Sequence, residues 1–143
     1  MSSNLTPYSR PTFSSASEYN RIVGTGSALP KKRVTNEDLS VFLETTSSWI
    51  EERVGIRERF VCTGDESTVS LATKASEEAI LNAQIDRSEI DLVILGTFTP
   101  DKALPSAAAL LAEGLGLNEV MAFDIQAACS GFIFSLATAE ALM

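Results

Sequence analysis

The sequence predicts an α/β fold with a mostly parallel sheet covered by helices, and three observations carry that expectation. "DLVILGT", residues 91 to 97, is a continuous apolar run without alternation, as a strand covered on both faces and therefore parallel requires. From about Ser67 to Gln84, Val69, Ala72, Ala79, Ile80 and Ala83 share one helical face while Lys74, Glu77 and Glu78 lie off it, which describes an amphipathic crossover. The patterns run β, helices, β, α, β, α, β, α, the rhythm of strands joined by covering helices.

The elements follow in order. The first 20 residues, "MSSNLTPYSRPTFSSASEYN", are Ser-rich, contain Pro7 and Pro11 and show no periodicity, so they read as a flexible tail. Their low acidity, with Arg10 and Arg21 nearby, also allows a weak transit-peptide reading. Residues 21–143 read as one ordered unit. "RIVGTGSALP" is a β-prone run ending in Gly24, Gly26 and Pro30, a strand and then a turn. Gly24-x-Gly26 lacks the third glycine and the helix of a dinucleotide loop, so Gly26 is read as a turn, and Lys31-Lys32-Arg33 as a solvated turn and not a nucleic-acid patch. Thr35 to Asp38 forms a capping box for a helix with Leu39, Phe42 and Leu43 at i, i+3 and i+4. Ser48 to Glu51 reads as a second box, closed by a left-handed Gly55.

"IRERFVC", 56 to 62, alternates as a half-exposed strand containing Cys62, and Gly64-Asp65 turns into the crossover helix. Pro105 reads as the N1-type start of a helix from about Ser106 to Leu115, stopping at Gly114 or Gly116. "VMAFDIQ" is the next strand. A last helix from Ser130 is apolar nearly all round, through Phe132, Ile133, Phe134, Leu136 and Leu142, and such a helix belongs in an interior. It runs to Met143 without Gly, Asn or a basic last turn, so the sequence reads as a partial chain truncated inside an element.

Composition narrows the chemistry. The 143 residues are 45% hydrophobic and 21% charged, as in one soluble globular domain. A net charge of −8 argues against nucleic acid and anionic membrane as partners, so any anion site must be local. No stretch approaches the about 18 unbroken apolar residues of a membrane helix. Cys62 and Cys129 make no disulfide framework and no secretory signal is visible, which suggests a reducing, cytoplasmic setting. With His at zero, imidazole metal sites and a His general base are excluded within the chain, and no metal is expected.

Cys129 sits where a strand pattern gives way to a helix pattern. There the partial positive charge of a helix start favours thiolate, and the small neighbours Ala127, Ala128, Ser130 and Gly131 admit a substrate carbonyl. A buried core cysteine suits the same letters, and the residues alone leave both readings open. Trp49 and Arg53 share a helix face and could form a stacking plate beside a phosphate partner, or be an ordinary Trp and a solvated Arg.

"DIQAACSGF", together with "WIEERVGIRER", "GTGSALP" and "LPSAA", resembles the N-terminal part of a beta-ketoacyl-acyl-carrier-protein synthase III, over about Arg21 to Met143. The resemblance implies the N-terminal half of a duplicated α-β-α-β-α, thiolase-like fold. It implies that Cys129 takes an acyl group from acyl-CoA, expected to be acetyl-CoA, as a thioester. Malonyl-acyl carrier protein then decarboxylates and its carbanion attacks that thioester, starting fatty acid synthesis. Trp49 would stack on the CoA adenine, Arg53 would meet its phosphates, and Thr45 falls at a further nucleotide contact. "DKALPSAA" matches a loop that reaches across a homodimer interface, with Leu104 where an aromatic is common in the acyl pocket. No cofactor would be bound permanently, because CoA enters as substrate.

The family's His and Asn come from the second half of its fold. This chain has no His, and Asn82 and Asn118 lie in no matching context, so condensation is expected only from a longer or complemented enzyme. Two other classes stay open. One is a non-catalytic binding or interaction module that retains the half-fold and CoA affinity, which an exposed apolar face on the last helix would support; the other is a thiolase-fold acyltransferase of secondary metabolism.

Overall fold

The computed structural model describes residues 20–143, so the tail and transit-peptide readings of the first residues lie, apart from Asn20, outside the described residues. Strand β1 (Lys32–Thr35) pairs antiparallel with β2 (Glu58–Val61) in the register Lys32↔Val61 to Thr35↔Glu58, and Arg33 forms an ion pair with Glu58. Two short helices connect them. α1 (Asn36–Ser40) starts on the expected capping box: Asp38 N–H donates to Thr35 Oγ1 (3.2 Å) and Thr35 N–H to Asp38 Oδ2 (2.8 Å). It is shorter than its apolar spacing suggests. Phe42 and Leu43 lie past its end in a tight turn, 69% and 52% exposed.

α2 (Ser47–Val54) begins two residues before the expected box, because Thr46 Oγ1 takes the Trp49 N–H (3.2 Å) while Glu51 turns to Arg57 (2.7 Å). Gly55 closes it at φ 70, as read. Asn36 is the buried staple of this unit, 1% exposed; its amide donates to Ile56 O (2.8 Å) and accepts from Arg59 Nη2 (2.7 Å).

The second unit is the α/β core. α3 (Thr68–Ala83) has Ser67 as N-cap and Gln84 left-handed at its end, close to the bounds read from periodicity. It leads to β3 (Leu92–Gly96), then α4 (Ala107–Gly114), β4 (Met121–Ile125) and α5 (Gly131–Leu142). β3 and β4 are parallel, in register from Leu92↔Met121 to Gly96↔Ile125. α4 packs on both strands and on α3, while α5 lies against β3 and β4. Val93, Ala108, Leu111, Ala112 and Leu115 form the buried cluster, and the small side chains of α4 let it seat closely between α3 and the strands. Pro105 precedes the N-cap instead of occupying N1, since Ser106 Oγ accepts the Ala109 N–H (3.2 Å).

Five expectations are corrected here. The run from Arg21 forms no strand: it lies along α3, where Ser27 N–H donates to Glu78 (2.7 Å) and Asn82 donates to Thr25 O (2.8 Å). A Cβ on Gly24 would stand 2.2 Å from Ala79 O and one on Gly26 2.0 Å from Ala75 O, so these glycines serve close backbone approach, not a turn. Lys32 and Arg33 belong to β1, and Cys62 falls just past β2. The last helix is also not interior within this chain. Phe132, Ile133 and Phe134 are 67%, 61% and 55% exposed, and in α5 only Gly131 is buried.

Candidate active site

The thiol is placed by a strained turn. β4 ends at Ile125, Ala127 follows at φ −142, and Ala128 takes φ 44, a left-handed conformation that a Cβ makes costly by about 1–2 kcal/mol. Ala128–Ser130 then form a 3-10 turn, tied by Ser130 N–H donating to Ala127 O (2.8 Å), and α5 begins at Gly131. Cys129 is exposed and free. It stands in the 3-10 turn two residues before the first residue of α5, reachable from solvent, and not walled in by hydrocarbon.

Glycine makes that seating possible. Gly131 is buried against the end of β3: a Cβ on Gly96 would lie 3.2 Å from the Gly131 carbonyl carbon and 3.4 Å from its oxygen. The first turn of α5 therefore rests directly on the strand backbone. Neither the 3-10 turn nor α5 has a side-chain cap hydrogen bond, so the first N–H groups at this end are not taken by a capping side chain. An exposed thiol on the turn that leads into a helix without a capping side chain is an arrangement suited to nucleophilic attack on a carbonyl.

Of the three residues read as a nucleotide contact, Thr45 and Trp49 meet at the start of α2, and Arg53, in its last turn, reaches back to Trp49. The Arg53 guanidinium lies 5.7 Å from the Trp49 ring centroid, a cation–π pair. Trp49 is 56% exposed, and with Glu44, Thr45 and Thr46 it lines a cleft of about 330 Å³. Thr45 Oγ1 is buried there without a hydrogen-bond partner, and among the described residues Arg53 has no carboxylate within ion-pair distance. Leu104 lies elsewhere, in the loop between β3 and α4, 84% exposed.

Two carboxylates that fasten this loop escape a reading of motifs. Asp101 accepts the N–H groups of Thr68 and Val69, both at 3.0 Å, and the Val69 and then the Thr68 hydrogen bond hold its pKa below the ordinary carboxylate value. Asp124 in β4 accepts from Ala107 (2.9 Å) and Ala108 (2.7 Å). The available signal was an acid inside the apolar run "VMAFDIQ"; nothing comparable marks Asp101. Among the described residues no group of His, Cys, Asp or Glu could hold a metal ion, and no helix is long and apolar enough to cross a membrane.

Comparison with known proteins gives the context. No protein-family model matches the chain. It is 50% identical over 124 residues to the beta-ketoacyl-[acyl-carrier-protein] synthase III of Methylococcus capsulatus, covering 87% of this chain and 39% of that protein. The protein of the same name from Erythrobacter litoralis is 49% identical over 122 residues, covering 85% of this chain and 38% of the other. Among solved structures, 3-oxoacyl-[acyl-carrier-protein] synthase III from Aquifex aeolicus VF5 superposes with a TM-score of 0.79 at 45% identity, over 84% of this chain and 39% of that one. The priming beta-ketosynthase of the R1128 polyketide pathway gives 0.78 at 36% identity, over 83% and 36%. The chain thus spans about 39% of the length of the curated relatives it matches. The fold is the α/β, thiolase-like one that the motifs implied.

Proposed function

We propose, from the premise that the chain belongs with the beta-ketoacyl-[acyl-carrier-protein] synthase III proteins over the part of them it spans, that it supplies the nucleophile and CoA contacts of an initiating condensing enzyme. Cys129 attacks the carbonyl of acetyl-CoA as thiolate; the C–S bond to CoA breaks, CoA leaves as thiolate, and the acyl group stays on the protein as a thioester. Malonyl-acyl carrier protein loses CO₂. Its carbanion attacks the Cys129 thioester, a carbon–carbon bond forms, and the Cys129 thiolate leaves. The observation that supports this reading is Cys129 standing exposed on the strained turn at the start of α5.

Trp49, Arg53 and Thr45 are the CoA contacts in this reading: the indole takes the adenine, the guanidinium takes phosphate, and the orphaned Thr45 hydroxyl gains a polar partner. CoA enters and leaves as substrate, and no cofactor stays bound. With no His in the chain, the decarboxylation step needs residues from elsewhere, so the enzyme is a longer or complemented one. In this reading the complete enzyme works as a homodimer in the cytoplasm. The uncovered apolar side of α5 supports such a complement, since its Phe132, Ile133 and Phe134 are core-type residues. The likeness to a polyketide priming ketosynthase favours, as second reading, the same thioester chemistry used in secondary metabolism.

The test is intact-mass analysis after incubation with acetyl-CoA. An acetyl adduct that Cys129→Ala abolishes is the expected result. No adduct, with or without a complementing second half, would leave a non-catalytic docking module as the function.

A further inference from the structure

The loop 97–106 is flanked by two helices that share their first N–H groups in the same way. In α3, Ser67 Oγ takes the third N–H, that of Ser70 (3.1 Å), and Asp101 takes the first two. In α4, Ser106 Oγ takes the third, that of Ala109 (3.2 Å), and Asp124 takes the first two. For α4 the acid comes from a core strand; for α3 it comes from the loop itself. α3 already has a complete capping box, with Ser67 N–H donating to Ser70 Oγ (2.9 Å), so Asp101 is not needed to start the helix. What Asp101 adds is a two-point tether on the loop, reinforced by Thr68 Oγ1 donating to Thr99 O (3.4 Å).

We propose that Asp101 is the positioning residue for Leu104: its carboxylate, fixed on the α3 N-terminus, holds the loop in one place and so sets where Leu104 stands and which acyl shapes it admits. Charge-assisted hydrogen bonds to helix-start N–H groups are among the stronger and more directional available to an exposed loop. A loop ordered in advance loses less entropy when its leucine packs against an acyl chain. The link to acyl shape rests on the reading above, in which Leu104 belongs to an acyl pocket; the tether itself does not.

Lys102 lies inside the loop, so the rate of tryptic cleavage after it reports the loop's opening. Each rate is divided by that of a free peptide of residues 97–107 with the same sequence, which removes the direct effect of an acid beside the cleaved bond. Asp101→Ala is expected to speed this normalised cleavage about tenfold, the loss of two charge-assisted hydrogen bonds. Thr68→Pro leaves the loop sequence intact and removes one of the two N–H groups on Asp101 together with the hydroxyl that donates to Thr99 O; proline suits N1, and Ser67 at φ −145, ψ 168 accepts a following proline. It should give about threefold.

Cleavage after Lys74, within α3, should change in neither variant. An unchanged rate at Lys102, or an equal rise at Lys74, overturns the proposal, because Asp101 would then do nothing or only stabilise the fold. Leu104→Ala should leave cleavage unchanged and shift the ratio of thioester formation at Cys129 from straight-chain and branched acyl-CoA. If that ratio stays fixed while Asp101→Ala opens the loop, the link to acyl shape fails and the failure lies in the acyl-pocket reading.

Discussion

Replacing Ala128 by glycine tests whether the turn carrying the thiol is strained. At φ 44 an alanine pays about 1–2 kcal/mol relative to its favoured conformations, a cost glycine escapes. Glycine also gives the unfolded chain more freedom, which costs the fold about 0.4–1 kcal/mol. The difference is a net stabilisation of about 0.5–1 kcal/mol, or roughly 2–4 °C in Tm for a chain of this size. Thermal unfolding followed by circular dichroism, with urea titration as a second measure, reads it directly. A mid-helix alanine-to-glycine change at Ala137 should move the other way, by about 1 kcal/mol. If Ala128→Gly lowers stability as Ala137→Gly does, Ala128 is not strained in solution and the account of the Cys129 turn is wrong. Gain in stability should come with slower acylation, since the looser turn holds the sulfur less firmly.

Three other outcomes can be checked. Leu111→Ala, at a site 4% exposed between α4 and the strands, should cost about 2–5 kcal/mol in urea unfolding, the loss of a large buried side chain. Trp49→Ala should weaken CoA binding about tenfold by calorimetry while leaving the melting temperature nearly unchanged, because the indole is 56% exposed. The pKa of Asp101 is lowered by its Val69 and Thr68 hydrogen bonds, that of Glu66 chiefly by the Thr63 N–H, and that of Asp86 chiefly by the Ser88 hydroxyl. Groups with depressed folded-state values favour the fold above their unfolded pKa, and this is lost as pH falls through the folded one. Stability should therefore hold down to the ordinary carboxylate range and decline below it, as a pH series of urea midpoints would read.

What the letters revealed depended on how local the cause was. Thr35–Asp38, Ser67 and Gly55 act within a few residues, so their helix boundaries could be read from spacing. The cap of α2 is ambiguous in the letters because Thr46 and Ser48 offer the same hydroxyl, and only the engagement of Glu51 with Arg57 decides between them. The β-prone run at Arg21 fails as a strand because Gly24 and Gly26 lie against the α3 backbone, a tertiary fact without periodicity. At the site, Cys129 before a helix was legible from its small neighbours, and so was the sharing of a face by Trp49 and Arg53. The φ of Ala128, the seating of Gly131 on Gly96 and the role of Asp101 were not, since each depends on a partner distant in sequence or on a backbone angle that alanine rarely adopts.

The bare outer side of α5 has a thermodynamic consequence. Any body that covers it binds the native state and not the unfolded one, so by mass action it stabilises the native state by RT ln(1 + [L]/Kd). Melting temperature then becomes a function of concentration, and a hundredfold excess over Kd would add about 2.7 kcal/mol, comparable with a buried leucine. Were such a body present, the durability of this polypeptide would be set as much by its abundance as by the chain's own core.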